Sequence, residues 1–195
     1  MSCALSENID PTARDPASGR SQVRTFALPS ESSTPTAQDF FSGTLLAYGI
    51  RNPAGFAFLP PGPFSDRLWI VDNGASIDNV TRITPDFARD NPADELNFVD
   101  LKHESGKFYG FPDCTTIWNP DADPVGAPEF LNLITGEQFS LQLEPARNDG
   151  WCQNVANNVP PRLSFQVRHF IYLLSRYFRK LTEYARLIQI GRAHV

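Results

Sequence analysis

Short apolar runs divided by turn formers set the pattern over the first hundred or so residues. Gln22–Leu28, Thr44–Tyr48, Gly55–Leu59, Leu68–Val71, Val80–Ile83, Glu95–Val99 and Lys107–Gly110 each predict a strand. Between them stand Asn52-Pro53, Pro60-Pro61-Gly62-Pro63 and Asn73-Gly74, residue pairs that favour turns. Many short strands with Gly/Pro/Asn punctuation predict an all-β chain, as a sandwich, a barrel or a propeller. Residues 113–161 read as loop, with Trp118 and Trp151 among them. From Val167 the period changes. Phe170, Leu173, Tyr177, Leu181, Tyr184 and Ile188 recur at helical spacing with arginines between them.

Composition supports a folded core, with 41% hydrophobic and 12% aromatic residues. Charge divides the chain. Residues 1–166 carry eleven bases against twenty-one acids, whereas 167–195 carry six bases and one acid, Glu183. The acidic main part argues against nucleic acid as a partner. The basic tail, taken alone, suits a membrane surface, a docking partner or a core-covering helix. No run reaches the roughly 18 apolar residues of a membrane span. Met1–Glu7 lack the basic start and apolar run of an export signal. Cys3, Cys114 and Cys152 match no tight metal-ligand spacing. Cys114 and Cys152 pair if the compartment is oxidising, and otherwise are two buried thiols. Asn79-Val80-Thr81 matches a glycosylation sequon.

Three runs carry more specific information. They are Tyr48-Gly49-Ile50-Arg51-Asn52-Pro53-Ala54-Gly55-Phe56, Leu68-Trp69-Ile70-Val71-Asp72-Asn73-Gly74-Ala75, and Asp90-Asn91-Pro92-Ala93-Asp94-Glu95-Leu96-Asn97-Phe98 with Phe108-Tyr109-Gly110-Phe111-Pro112 beyond it. In this order and spacing they resemble the soluble quinoprotein glucose/sorbosone dehydrogenases, and more closely the fungal pyranose dehydrogenases that use pyrroloquinoline quinone (PQQ). Ser18-Gly19-Arg20-Ser21-Gln22-Val23-Arg24 and Val159-Pro160-Pro161-Arg162-Leu163-Ser164-Phe165-Gln166 extend the likeness, which covers residues 7–166.

The resemblance implies a six-bladed β-propeller with the cofactor at one end of its channel, and PQQ- and calcium-dependent oxidation of pyranose sugars by hydride transfer from C1. It makes Arg51, Asn52 and Asn73 contacts of the quinone, and the Gly74 and Ala75 carbonyls ligands of calcium. The residue chemistry agrees with that. Arg51 offers a fixed positive fork to an anionic cofactor, and Asn52 adds an amide beside it. Calcium takes carbonyl and carboxylate oxygens. Taken without the family, Arg51-Asn52-Pro53 is a solvated loop and Asn73-Gly74 a type I′ hairpin turn. Asp94 and Glu95 either brace the calcium site or form a solvated strand edge, and His103 reads as a surface residue. The run Gly74-Ala75-Ser76-Ile77-Asp78-Asn79 is longer and less acidic than its counterpart in the family. A non-catalytic propeller that binds carbohydrate or protein is the alternative function.

In this reading residues 1–166 are part of a propeller, with the histidine base upstream and the later cofactor-clamping basic residues downstream, so the piece alone is inactive. The parent is secreted and acts on a sugar; its electron acceptor is not indicated. Residues 167–195 are read as non-native, because the likeness stops at Gln166. Val167-Arg168 is what the intron start GTACGT encodes, and Ile190–Val195 match one frame of a sequencing adapter. On that reading the tail gives no membrane partner.

Overall fold

The computed structural model describes residues 9–27, 37–58, 62, 65–77, 80, 82–103, 106–142 and 144–166. The tail 167–195, the sequon positions Asn79 and Thr81, the strand ends Leu28 and Leu59, and Cys3 lie outside the described residues. Among the described residues the chain is mostly β. The nine strands are β1 (Gln22–Thr25), β2 (Thr44–Tyr48), β3 (Pro53–Phe58), β4 (Arg67–Asp72), β5 (Asp94–Asp100), β6 (Lys107–Phe108), β7 (Cys114–Thr116), β8 (Gln138–Ser140) and β9 (Leu163–Phe165). The two short helices are α1 (Pro85–Ala88) and α2 (Asp149–Gln153). Three sheets result, ordered β1-β2-β6, β3-β4-β5-β9 and β7-β8. All pairings are antiparallel except β2 with β6.

The period of two explains the central sheet. Along β4, Leu68, Ile70 and Asp72 are buried while Arg67, Trp69 and Val71 are partly exposed. The register sets Leu68 opposite Val99, Ile70 opposite Asn97 and Asp72 opposite Glu95, so one inward face begins apolar and ends in two carboxylates. On the other face Trp69 meets Phe98 in a tilted arrangement, 5.4 Å between ring centroids. Strand β3 lies at the edge of this sheet and leaves Phe56 and Phe58 exposed.

Two apolar clusters flank the sheets. One gathers Val23, Leu46, Ala47, Ile50, Leu68, Ile70, Val99 and Tyr109. The other is aromatic: Phe87 stacks on Phe130 at 4.1 Å, and Phe139 meets Phe130 edge-on at 5.0 Å. Ala75, Ile77, Ile117 and Leu141 complete it. Ion pairs tie the loops down. Asp113, 1% exposed, accepts from Arg14 Nε at 2.8 Å and from Arg147 Nη1 at 2.7 Å. Arg82 forks onto both oxygens of Asp149 at 2.6 and 2.7 Å, a planar bidentate match.

The structure corrects several sequence expectations. Val80–Ile83 does not form a strand; Val80 and Ile83 close turns onto Ile77 and Val80 carbonyls at 3.2 and 2.9 Å. Lys107–Gly110 is a strand only over Lys107–Phe108, because Gly110 takes φ 111. The stretch 113–161 is not all loop: it holds β7, β8 and α2, and strands this short carry too little periodicity to be seen.

Cys114 and Cys152 form a disulfide that closes a separation of 38 residues. It joins β7 to α2. Replacing Cys152 by Ser is expected to lower the unfolding free energy by roughly 3–4 kcal/mol from the lost loop constraint. Denaturant titration of the oxidised wild type against the variant checks this.

Candidate functional site

The motif residues converge where β3 and β4 begin and end. Strand β3 starts at Pro53, which has no N–H to give to the ladder. Ahead of it, the backbone N–H groups of Arg51 and Asn52 both donate to the Asp72 carboxylate, to Oδ2 at 2.9 Å and Oδ1 at 2.6 Å. The Asn52 carbonyl in turn accepts from the Asn73 backbone N–H and from Asn73 Nδ2, both at 3.2 Å. The turn is therefore a built feature and not a solvated loop.

Arg51 is half-buried, and its Nη1 donates to the Gly74 carbonyl at 3.2 Å. Its guanidinium lies 5.9 Å from the Phe111 ring centroid, on the aromatic face. Burial lowers the Arg51 pKa and the Asp72 charge opposes the shift. Asn52 is exposed, so its amide is accessible to a ligand.

Asn73-Gly74 is not a hairpin turn. A type I′ turn needs positive φ at both central residues, and neither Asn73 nor Gly74 takes one. The chain instead runs from β4 through residues 73–93, which include α1, before entering β5. Glycine is required at position 74 for another reason: a Cβ there would lie 2.7 Å from the Ala93 carbonyl oxygen and 3.1 Å from Pro92 Cγ. The Gly74 N–H donates to Asp94 Oδ1 at 2.8 Å. Gly74 and Ala75 line a cleft of about 290 Å³ together with Ile77, Asp90, Pro92 and Gln166. Arg51, Asn52 and Asn73 do not line this cleft. They sit behind Gly74, and the Arg51 to Gly74 hydrogen bond links the two groups.

Asp94 and Glu95 are buried, 3% and 8% exposed, and so are not a solvated strand edge. Glu95 accepts from Thr116 Oγ1 at 2.6 Å and Asn97 Nδ2 at 3.1 Å. Burial raises the pKa of both acids, partly offset by the Gly74 N–H at Asp94 and by Thr116 and Asn97 at Glu95. Burial, then the neighbouring Glu95, pushes Asp72 up to about 7, against the pull of the Asn52 and Arg51 N–H groups and the Arg51 charge. The sequence reading missed Asp72, although it closes the inward Leu68-Ile70-Asp72 alternation of β4. His103 is exposed on the turn after β5, with Nδ1 3.2 Å from Asp100 Oδ1.

The donor set fits calcium in kind. The Gly74 and Ala75 carbonyls and the Asp94 carboxylate offer oxygen only. Among the described residues no group of three or more His, Cys, Asp or Glu gathers to hold a metal ion, so carbonyl oxygens would have to supply much of such a shell. The Gly74 carbonyl accepts from Arg51 Nη1. The half-buried Arg51 is a fixed positive charge of the kind that can hold an anionic group.

Two outcomes follow from this geometry. Gly74→Ala is expected to cost roughly 1–3 kcal/mol, because the Ala93 backbone and Pro92 ring confine the added methyl; thermal unfolding reads it. An unfolded aspartate titrates near 3.9, about three units below Asp72 in the fold. Between about pH 4 and 7 the folded state therefore holds the extra proton, and stability falls as pH rises through that window. Stability against pH is expected to slope downward more steeply in the wild type than in Asp72→Asn, by at most about 1.4 kcal/mol per pH unit.

Comparison with known proteins places this geometry. A family model described as TrAA12-like matches residues 1–170. A pyrroloquinoline quinone-dependent sugar dehydrogenase of Hypocrea jecorina is 36% identical over 163 residues, which are 82% of this chain and 35% of the relative. A pyrroloquinoline quinone-dependent pyranose dehydrogenase of Coprinopsis cinerea is 32% identical over 164 residues, 80% of this chain and 20% of the relative. The chain thus spans about a third or less of the length of these curated relatives. Among solved structures, the calcium structure of a Trichoderma reesei Carbohydrate-Active Enzymes Family AA12 protein superposes with TM-score 0.68 at 32% identity, covering 85% of this chain and 39% of the other. The holo PQQ domain of the Coprinopsis cinerea pyranose dehydrogenase gives TM-score 0.60 at 27% identity, covering 84% of this chain and 38% of the other. The matched model spans most of the sequence and includes every motif residue around Asp72, and the chain belongs to the TrAA12-like family.

Proposed function

We propose that this chain is the part of a six-bladed β-propeller that holds PQQ and calcium in a secreted fungal enzyme oxidising pyranose sugars at C1. The observation that carries the reading is the Arg51 to Gly74 hydrogen bond, which joins a half-buried cation to a residue that lines the cleft. Its names are those of the relatives, which are PQQ-dependent sugar and pyranose dehydrogenases.

Arg51 would pair with the quinone's anionic oxygens, and the Asn52 amide and Asn73 would hydrogen-bond its edge. The Gly74 and Ala75 carbonyls would hold calcium, with Asp94 fixing the Gly74 peptide. When bound, the quinone supplies a hydride-accepting ring and calcium a Lewis acid. His103 is remote from this work, exposed and paired with Asp100, so no described histidine supplies the base that takes the sugar proton. Residues 1–166 alone would then be inactive, and 167–195 no part of the site. The exposed β3 edge with Phe56 and Phe58 supports a ring continued by further blades, since an open apolar edge calls for cover. The disulfide suits an oxidising compartment.

The test uses the full-length gene product, stripped of cofactor and titrated with PQQ and calcium, with sugar-dependent dye reduction as readout. Arg51→Ala is expected to weaken quinone binding about ten- to a hundredfold, the worth of one lost charge-assisted contact. A wild-type protein that binds neither quinone nor reduces dye with any pyranose defeats the reading, leaving a non-catalytic carbohydrate- or protein-binding propeller.

A further inference from the structure

We propose that Asp72 is a positioning residue of the cofactor site: its carboxylate fixes the backbone of Arg51 and Asn52 so that both side chains are presented in one geometry. The inference rests on the function proposed above and concerns a residue that need not touch the quinone at all.

The register between β3 and β4 ends with Pro53 opposite Asp72, and one backbone bond lies beyond it, from the Asn73 N–H to the Asn52 carbonyl at 3.2 Å. Two successive N–H groups, those of Arg51 and Asn52, stand just beyond the last ladder position. In most sheets such groups turn to water. Here the Asp72 side chain takes both, one on each oxygen, at 2.9 and 2.6 Å. The carboxylate thus adds two bonds beside the Asn73 to Asn52 rung and anchors the turn to a central strand. Both successive peptides are held, so the Arg51 backbone cannot swing without breaking at least one bond.

The anchor is itself rigid. Asp72 is 5% exposed and lies at the end of the buried Leu68-Ile70 stripe. Its cross-strand neighbour Glu95 is held from two sides by Thr116 and Asn97. Thr116 Oγ1 also accepts from Gln138 Nε2 at 3.1 Å, so the backing continues into β8. From this fixed base the Asn52 carbonyl meets Asn73, and Arg51 reaches the Gly74 carbonyl. A shift of the turn would move all three proposed quinone contacts together.

Asp72→Asn keeps the volume and one acceptor but sets an amide donor against one of the two N–H groups. In the full-length gene product at pH 8 with calcium, titrated with PQQ itself, the variant is expected to bind about tenfold more weakly than the wild type. Residue-resolved hydrogen exchange without quinone is expected to show the Arg51 and Asn52 amides protected in the wild type and released in the variant, with Ile70 unchanged. Thermal unfolding separates a purely structural role: a lowered Tm with a wild-type quinone Kd in the folded fraction overturns the proposal. Exchange of the Arg51 and Asn52 amides at open-loop rates in the wild type also overturns it, and that measurement stands even if the variant does not fold. A wild type that binds no quinone defeats the proposed function and this role with it. A wild type that binds, with an unchanged variant, defeats the role alone.

Discussion

A carboxylate buried at the end of an apolar stripe governs the architecture around this site. Asp72 follows Leu68 and Ile70 on the inward face of β4, so the strand's own period carries its charge out of water. A buried carboxylate persists only with compensating donors. The Arg51 and Asn52 N–H groups provide them, just ahead of the first residue of β3. Strand period and a buried acid that needs donors therefore combine to fold the Arg-Asn-Pro turn against the sheet.

The position of this turn also explains how two separate cores come to serve one site. Ile50 belongs to the aliphatic cluster and precedes Arg51; Ala75 belongs to the aromatic cluster and follows Gly74. Each cluster immobilises one side, and the Arg51 to Gly74 hydrogen bond spans the seam. Behind it a buried polar chain runs from Glu95 through Thr116 and Gln138 to Asn158, whose Nδ2 donates to Gln138 Oε1 and, at 3.1 Å, to the Cys152 backbone carbonyl. The disulfide and the candidate site are thus opposite ends of one connected interior, in which a lost partner leaves a costly orphan.

Membership in the TrAA12-like family rests on the sequence that surrounds this held arginine. The chain spans about a third of the sugar dehydrogenase relative, and among the described residues β3 stands at one edge of the central sheet. His103 pairs with Asp100 at the end of β5 opposite to Asp94 and Glu95.

Strands β2, β3, β4 and β5 were legible in the sequence, because they have clear apolar runs between strong turn residues. The motif residues Arg51, Asn52, Asn73, Gly74 and Ala75 were legible only as a family pattern, since local spacing equally suits a loop and a hairpin. What local sequence did not contain was the partner of each group. The strands β7, β8 and β9 are three residues each and show no period of their own. The pairing of Cys114 with Cys152 depended on β7 and α2 meeting in space. The amino-acid order by itself determined where the chain could extend and turn, because those preferences act over a few neighbouring residues. Only the tertiary structure decided that Asp94 and Glu95 are buried, that Gly74 is hemmed in by Ala93, and that Asp72 catches the Arg51 turn. Each of those depends on which strand lies opposite, a contact between residues some twenty positions apart whose closure the whole sheet must stabilise.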